Sequence, residues 1–207
     1  MPIDFLTSAF VTLMVVIDPP GLGPMFVGLT QGMTTVDQRR VALRASIIAV
    51  SILFFFALVG EKLLLLVGIG IPAFRIAGGL LLFSIAFEML FDQRSARQNT
   101  VAQAAVTEDH VHNIAAFPLA IPLMAGPGAI TAVILLASGV RSSPMALAGL
   151  LGVILVVVMA CYLVFLAAAP VSRALGVTGN IVLTRLLGVL LSALAVQFII
   201  DGILALR

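Results

Sequence analysis

Tryptophan is absent from the 207-residue chain, tyrosine and cysteine occur once each, and charged residues make up only 10% of it. Each shortage excludes something. The single cysteine, Cys161, has no partner for an internal disulfide. Without tryptophan, an interfacial belt has to rely on Phe, Arg and the one Tyr. With so few polar side chains, the chain cannot cover a globular surface in water, since soluble domains are usually about a quarter charged. Net charge is only +2, and no basic cluster offers itself to nucleic acid. No P-loop, H-E-x-x-H, G-x-S-x-G or S-x-x-K occurs, so neither an ATP-driven engine nor a familiar hydrolase is encoded. The expectation is a protein that is not an enzyme and carries no cofactor.

What is abundant is apolar sequence: 62% of the residues are hydrophobic and mean hydropathy is +1.25. At roughly 20 residues per span, that supplies about six membrane helices. Reading apolar runs between polar punctuation places them at about 3–30, 43–66, 71–91, 113–138, 145–169 and 180–204. The first run lacks a basic leader region and is expected to be a retained span. Segment 92–112 is the long polar stretch. The chain therefore reads as one membrane domain over 1–207: a first half at about 1–91, a linker at about 92–112, and a second half at about 113–207. Arg39, Arg40, Arg44, Arg94, Arg97 and Arg173 fall in loops on one side, against Lys62, Arg141 and Arg207 on the other. The positive-inside rule then predicts a cytoplasmic linker and both termini outside.

The two halves share a pattern. Pro19-Pro20-Gly21-Leu22-Gly23-Pro24 and Pro122-Leu123-Met124-Ala125-Gly126-Pro127-Gly128 both contain P-x-x-x-G-P, displaced by 103 residues. Arg75-Ile76-Ala77-Gly78 and Arg185-Leu186-Leu187-Gly188 share R-x-x-G, displaced by 110. Three helices per half bring the second half into the membrane from the opposite side. The predicted fold is thus all-α, with six transmembrane helices in two inverted-topology three-helix repeats and with helices one and four broken. Proline removes a backbone donor and clashes with the preceding turn, and glycine loosens the chain further. Carbonyls and N–H groups freed in hydrocarbon cost several kcal/mol each unless a ligand, an ion, water or neighbouring helices satisfy them. The half-helix after such a break presents a positive N-terminal end that suits a carboxylate.

Asp18, immediately before Pro19, is either an N-cap for the second half-helix or a carboxylate at membrane depth, there for proton coupling, cation coordination or a substrate ammonium. Arg75 and Arg185 either snorkel to an interface or clamp a carboxylate or pair with Asp18. Gln197 precedes Asp201 by one helical turn on the same face, so the two line a cavity together or sit at the interface. Thr131, Ser84 and Ser192 are expected to hydrogen-bond between helices. Gly78-Gly79 and Gly149-x-x-Gly152 read as sites of close helix packing. His110 and His112, beside Glu108 and Asp109, make only a weak metal motif, and no metal site is expected.

On these residues the chain resembles the MarC family of bacterial inner-membrane proteins, which includes the SnatA amino-acid transporters. The resemblance rests on Ile17-Asp18-Pro19-Pro20-Gly21 with Gly23-Pro24, and on Pro72-Ala73-Phe74-Arg75-Ile76-Ala77-Gly78-Gly79. It rests equally on Phe117-Pro118 through Pro122 and Gly126-Pro127-Gly128 to Thr131, and on Gln197-Phe198-Ile199 with Asp201-Gly202. It implies six transmembrane helices within the LysE-like exporter group. It also implies transport of small neutral amino acids such as glycine and alanine, coupled to a proton or sodium gradient. Asn113 stands where relatives often carry an acid. The partners expected are the lipid bilayer, the small amino acid and the coupling ion, with a homo-oligomer left open. A passive channel and a non-transporting membrane protein are the alternative functions.

Overall fold

The computed structural model describes residues 3–91, 114–141 and 143–206. Among them there is no strand. Seven α-helices form: α1 (Ile3–Ile17), α2 (Pro19–Leu29), α3 (Thr35–Leu66), α4 (Ile71–Leu90), α5 (Pro127–Ser138), α6 (Pro144–Leu166) and α7 (Ala168–Leu204). Before α5 lies a wide-wound, π-like segment, Ala115–Met124. α1 and α2 together make one 27-residue apolar span, and α3, α4, α6 and the part of α7 from Gly179 to Leu204 make four more. The segment Ala115–Met124 and α5, bent by 55° to each other, complete a sixth if taken as one. The chain is a multi-pass membrane protein.

Two boundaries differ from the sequence reading. α3 starts at Thr35, earlier than expected, because Thr34 caps it: the Thr34 hydroxyl accepts from the Asp37 backbone N–H at 3.2 Å and donates to the Asp37 carboxylate at 2.7 Å. The basic turn of Arg39, Arg40 and Arg44 is therefore helical. α7 starts at Ala168, directly after Ala167, so Arg173 lies within the helix rather than in a loop. The linker, with His110, His112 and Asn113, lies outside the described residues.

Inside the bundle the apolar pattern sorts by size. α3 buries Ala42, Ala45, Ala49, Leu53, Ala57 and Gly60 at helical spacing and turns Leu43, Ile47, Phe55 and Leu58 outward. Lipid is as apolar as leucine, so helices in it associate through close backbone approach and packing, which small residues permit. The most extensive pairing, α4 with α7, follows the same logic. A Cβ on Gly79 would meet the Ala195 carbonyl and Ile199, one on Gly202 would meet Pro72 and Ile76, and one on Gly188 would meet Ala86 and Met89. The start of α4 thus faces the end of α7, and the two run antiparallel with backbones almost touching. Gly78 presses on Thr131 and Leu135 of α5, as close packing requires. Gly152 does not follow this pattern: nothing lies within 4 Å of where its Cβ would be, so it faces open space rather than a neighbouring helix.

Candidate functional site: two helix breaks brought together

The first break is a single residue. The Asp18 N–H donates to the Met14 carbonyl at 3.0 Å, closing α1, and the Asp18 carbonyl accepts from the Leu22 N–H at 3.2 Å, opening α2. Between these two ladders its backbone turns left-handed, at φ 57° and ψ 63°. Aspartate is among the few residues that visit this region. Its carboxylate Oδ1 accepts from the Gly21 N–H at 3.3 Å, capping α2. Asp18 is only 4% exposed. The cap and the buried carboxylate at membrane depth, alternatives in the sequence, are one and the same residue.

The remainder of the Pro/Gly cluster departs from expectation. The segment Pro19–Pro24 does not open; it is helical throughout. Pro19 and Pro20 occupy the first two helical positions, where no N–H is needed, so they start α2 instead of destroying it. Gly21 and Gly23 therefore hold their carbonyls within a helix. Pro24, on the exposed side of α2, has no N–H to offer the carbonyl one turn back, that of Pro20. Gly23 is buried, and a Cβ on it would lie 3.2 Å from Val164 of α6.

The second break is longer. Phe117 (φ −134°, ψ 127°) and Ile121 (φ −124°, ψ 126°) are extended, as each precedes a proline, whose ring disfavours the helical conformation there. The Ala125 N–H then donates to the Ala120 carbonyl at 2.8 Å. Gly126 fits only because it lacks a side chain, since a Cβ would collide with the Pro122 carbonyl. Pro127 begins α5, and no side chain caps this helix. Its first amide donors, at Gly128 and Ala129, are buried. Pro122 is half-buried and Pro127 exposed.

The breaks meet. A Cβ on Gly128, two residues beyond Gly126, would lie 3.4 Å from Val16 Cγ1, two residues before Asp18. Ile85 and Leu82 of α4 complete the wall around Gly128. α6 closes over the first break: Phe165 stacks on Phe26 with ring centroids 4.7 Å apart, and Val164 packs on Gly23.

The remaining candidates are scattered. Arg75 is half-buried and Arg185 exposed, and among the described residues neither forms an ion pair with Asp18. Thr131 is buried, with its methyl against Gly78. Gln197 Nε2 donates to Asp201 Oδ1 at 2.7 Å on an exposed face of α7, so the one-turn pairing holds but lies away from the breaks. Ser192 bonds back to Val189 within its own helix rather than to a described residue of another helix. No group of three or more His, Cys, Asp or Glu suited to a metal occurs among the described residues.

Residues from 3 to 206 match the sequence pattern of the MarC family integral membrane proteins. The chain belongs to the MarC family. A UPF0056 membrane protein of Archaeoglobus fulgidus is 38% identical over 201 residues, covering 97% of this chain and 93% of the relative. The UPF0056 membrane protein YhcE of Escherichia coli K12 is 34% identical, covering 94% of this chain and 89% of its own length. YvbG of Bacillus subtilis, also a UPF0056 membrane protein, is 33% identical over 98% of this chain and 96% of its own length. No solved structure matches the chain.

Sequence reasoning missed the α6 wall of Cys161, Val164 and Phe165, and the α1 and α4 side chains around Gly128. Nothing distinguishes these residues in an all-apolar run. Only the glycines opposite them carry a signal, since a buried glycine in a membrane helix marks the place where something comes close.

Proposed function

We propose that this MarC protein is a secondary transporter of small neutral amino acids of the glycine and alanine kind, coupled to a proton or sodium gradient across a bacterial inner membrane and catalysing no covalent chemistry. The observation that carries the reading is the pairing of opposite ends: a buried carboxylate at the first break, and the uncapped, buried amide end of α5 at the second. A zwitterion has the complementary charges. Its ammonium lies toward Asp18, and its carboxylate takes the N–H groups of Gly128 and Ala129, where the helix dipole favours an anion. The close packing of Val16, Ile85 and Leu82 around Gly128 limits the side chain to hydrogen or methyl. The antiparallel sense of α4 and α7 supports two halves of opposite orientation that rock about this site to alternate access.

The test is thermal stability of the purified protein in detergent with added ligands. A ligand that binds only the folded state stabilises it, by about 2.7 kcal/mol at 100 times its Kd. Glycine and alanine are expected to raise the melting temperature, while methylamine, acetate and leucine are expected to leave it nearly unchanged. Equal shifts from acetate and glycine would remove the zwitterion from the account.

A further inference from the structure

Among the contacts that join the first half of the chain to the second, two lie at opposite ends of the bundle. α2 ends at Leu29 and α3 begins at Thr35, so both lie at one end. Phe26 is within one turn of that end. Glu61 stands about 39 Å further along α3, at 1.5 Å per residue. The second half repeats the arrangement: Arg141 lies in the connection before α6, and Phe165 sits at the far end of that helix. At the Phe26 end, Phe26 and Phe165 stack at 4.7 Å with an interplanar angle of 20°, and both are buried. At the other end, Arg141 Nη1 donates to Glu61 Oε2 at 2.8 Å, across 80 residues of sequence. That pair is partly exposed, with side chains 36% and 21% accessible. Beside it, Gly60 packs against Ile134 so closely that a Cβ would lie 2.6 Å from Cγ1. The two helix breaks lie between these closures.

We propose that the Glu61–Arg141 ion pair and the Phe26–Phe165 stack are the two alternating closures of the transport path, one at each end, both made in this conformation. The proposal rests on the transporter reading for its purpose and on the contacts for its geometry. The two closures suit different work. An exposed ion pair contributes little stability and breaks easily, which fits a latch that water reaches from its own side. A buried aromatic stack excludes water and opens only when the halves separate as bodies. In each closure one residue comes from α2 or α3 and the other from the second half, so relative motion of the halves breaks one while keeping the other.

Cys161, the only cysteine, is buried one turn before Phe165, so it reports on access to the space between the closures. The experiment measures its modification by a membrane-impermeant methanethiosulfonate in right-side-out and inside-out vesicles. The native protein is expected to react slowly from both sides. Arg141→Gln should speed modification by about 2–5-fold from one side only, the change in open population that loss of an exposed pair permits. Phe165→Ala, or Phe26→Leu if the former does not fold, should speed it by about tenfold from the opposite side only. The charge-swapped pair Glu61→Arg with Arg141→Glu should restore the slow rate. Acceleration from the same side in both variants, or none in either, overturns the proposal. If the sidedness holds while neither glycine nor alanine moves across the membrane, the closures stand and the substrate class falls.

Discussion

The Asp18 carboxylate occupies the space that a side chain on Gly21 would need, and it holds the Gly21 N–H at 3.3 Å. The break and the glycine are therefore one unit. Gly21→Ala is expected to displace the carboxylate and destabilise the protein by about 1–3 kcal/mol, the usual cost of overpacking. Gly28→Ala, in the same helix with nothing within 4 Å of its Cβ, should be neutral or slightly stabilising. Thermal melts of the two variants in one detergent separate the cases; equal effects would show that the carboxylate does not sit where the geometry puts it.

Asparagine caps helices and adopts the left-handed conformation about as readily as aspartate, whereas alanine does neither. Asp18→Asn should therefore melt close to the native protein. Asp18→Ala should lose about 2 kcal/mol, from the missing cap and the forced positive φ together. Identical melts for all three would leave Asp18 no part in holding the first break.

Along the antiparallel seam of α4 and α7, Gly79 meets the Ala195 carbonyl and Gly202 meets backbone of Pro72 and Ile76. Backbone cannot step aside as a side chain can. Gly79→Leu and Gly202→Leu are each expected to destabilise by about 1–3 kcal/mol or to prevent accumulation of the folded protein. Gly152→Leu, facing open space, should accumulate normally. The yield of monodisperse protein after size-exclusion chromatography reads this directly.

Gly128 is different because its first neighbour is the far end of a flexible side chain, Ile85 Cδ1. Gly128→Ala is expected to fold, with Ile85 changing rotamer. Gly128→Val should also insert, at a cost of about 1–3 kcal/mol from overpacking against Ile85, Val16 and Leu82, and the stabilisation by glycine and alanine should disappear. A ligand shift preserved in Gly128→Val would place the binding site elsewhere.

Much of this was legible in the sequence. The paired Pro/Gly clusters located both breaks, since a proline disfavours helix in the residue before it; Phe117 and Ile121 are extended accordingly, while Gly23 before Pro24 stays helical. The Gly78-Gly79 pair marked a place of tight helix packing, whereas Gly152 faces open space and the tight approach at Gly188 was not read from the sequence. Two further features were not legible. Prolines at the start of a helix assist it and prolines within it hinder it, so Pro19–Pro24 looked like an opening but is a capped helix start. Which apolar side chains line the breaks depends on how the helices rotate about their axes. In lipid both faces of a helix are apolar, and periodicity then carries little information. That is why Val16, Val164 and Phe165 emerge only from the packing.

The central claim is that the two breaks together bind a small zwitterion, with Asp18 as its anionic end. Counterflow of radiolabelled glycine in proteoliposomes tests it most directly, with native protein and Asp18→Asn reconstituted at equal density. The account predicts saturable counterflow for the native protein and none for Asp18→Asn, although both are folded and inserted. Equal counterflow in the two would contradict it.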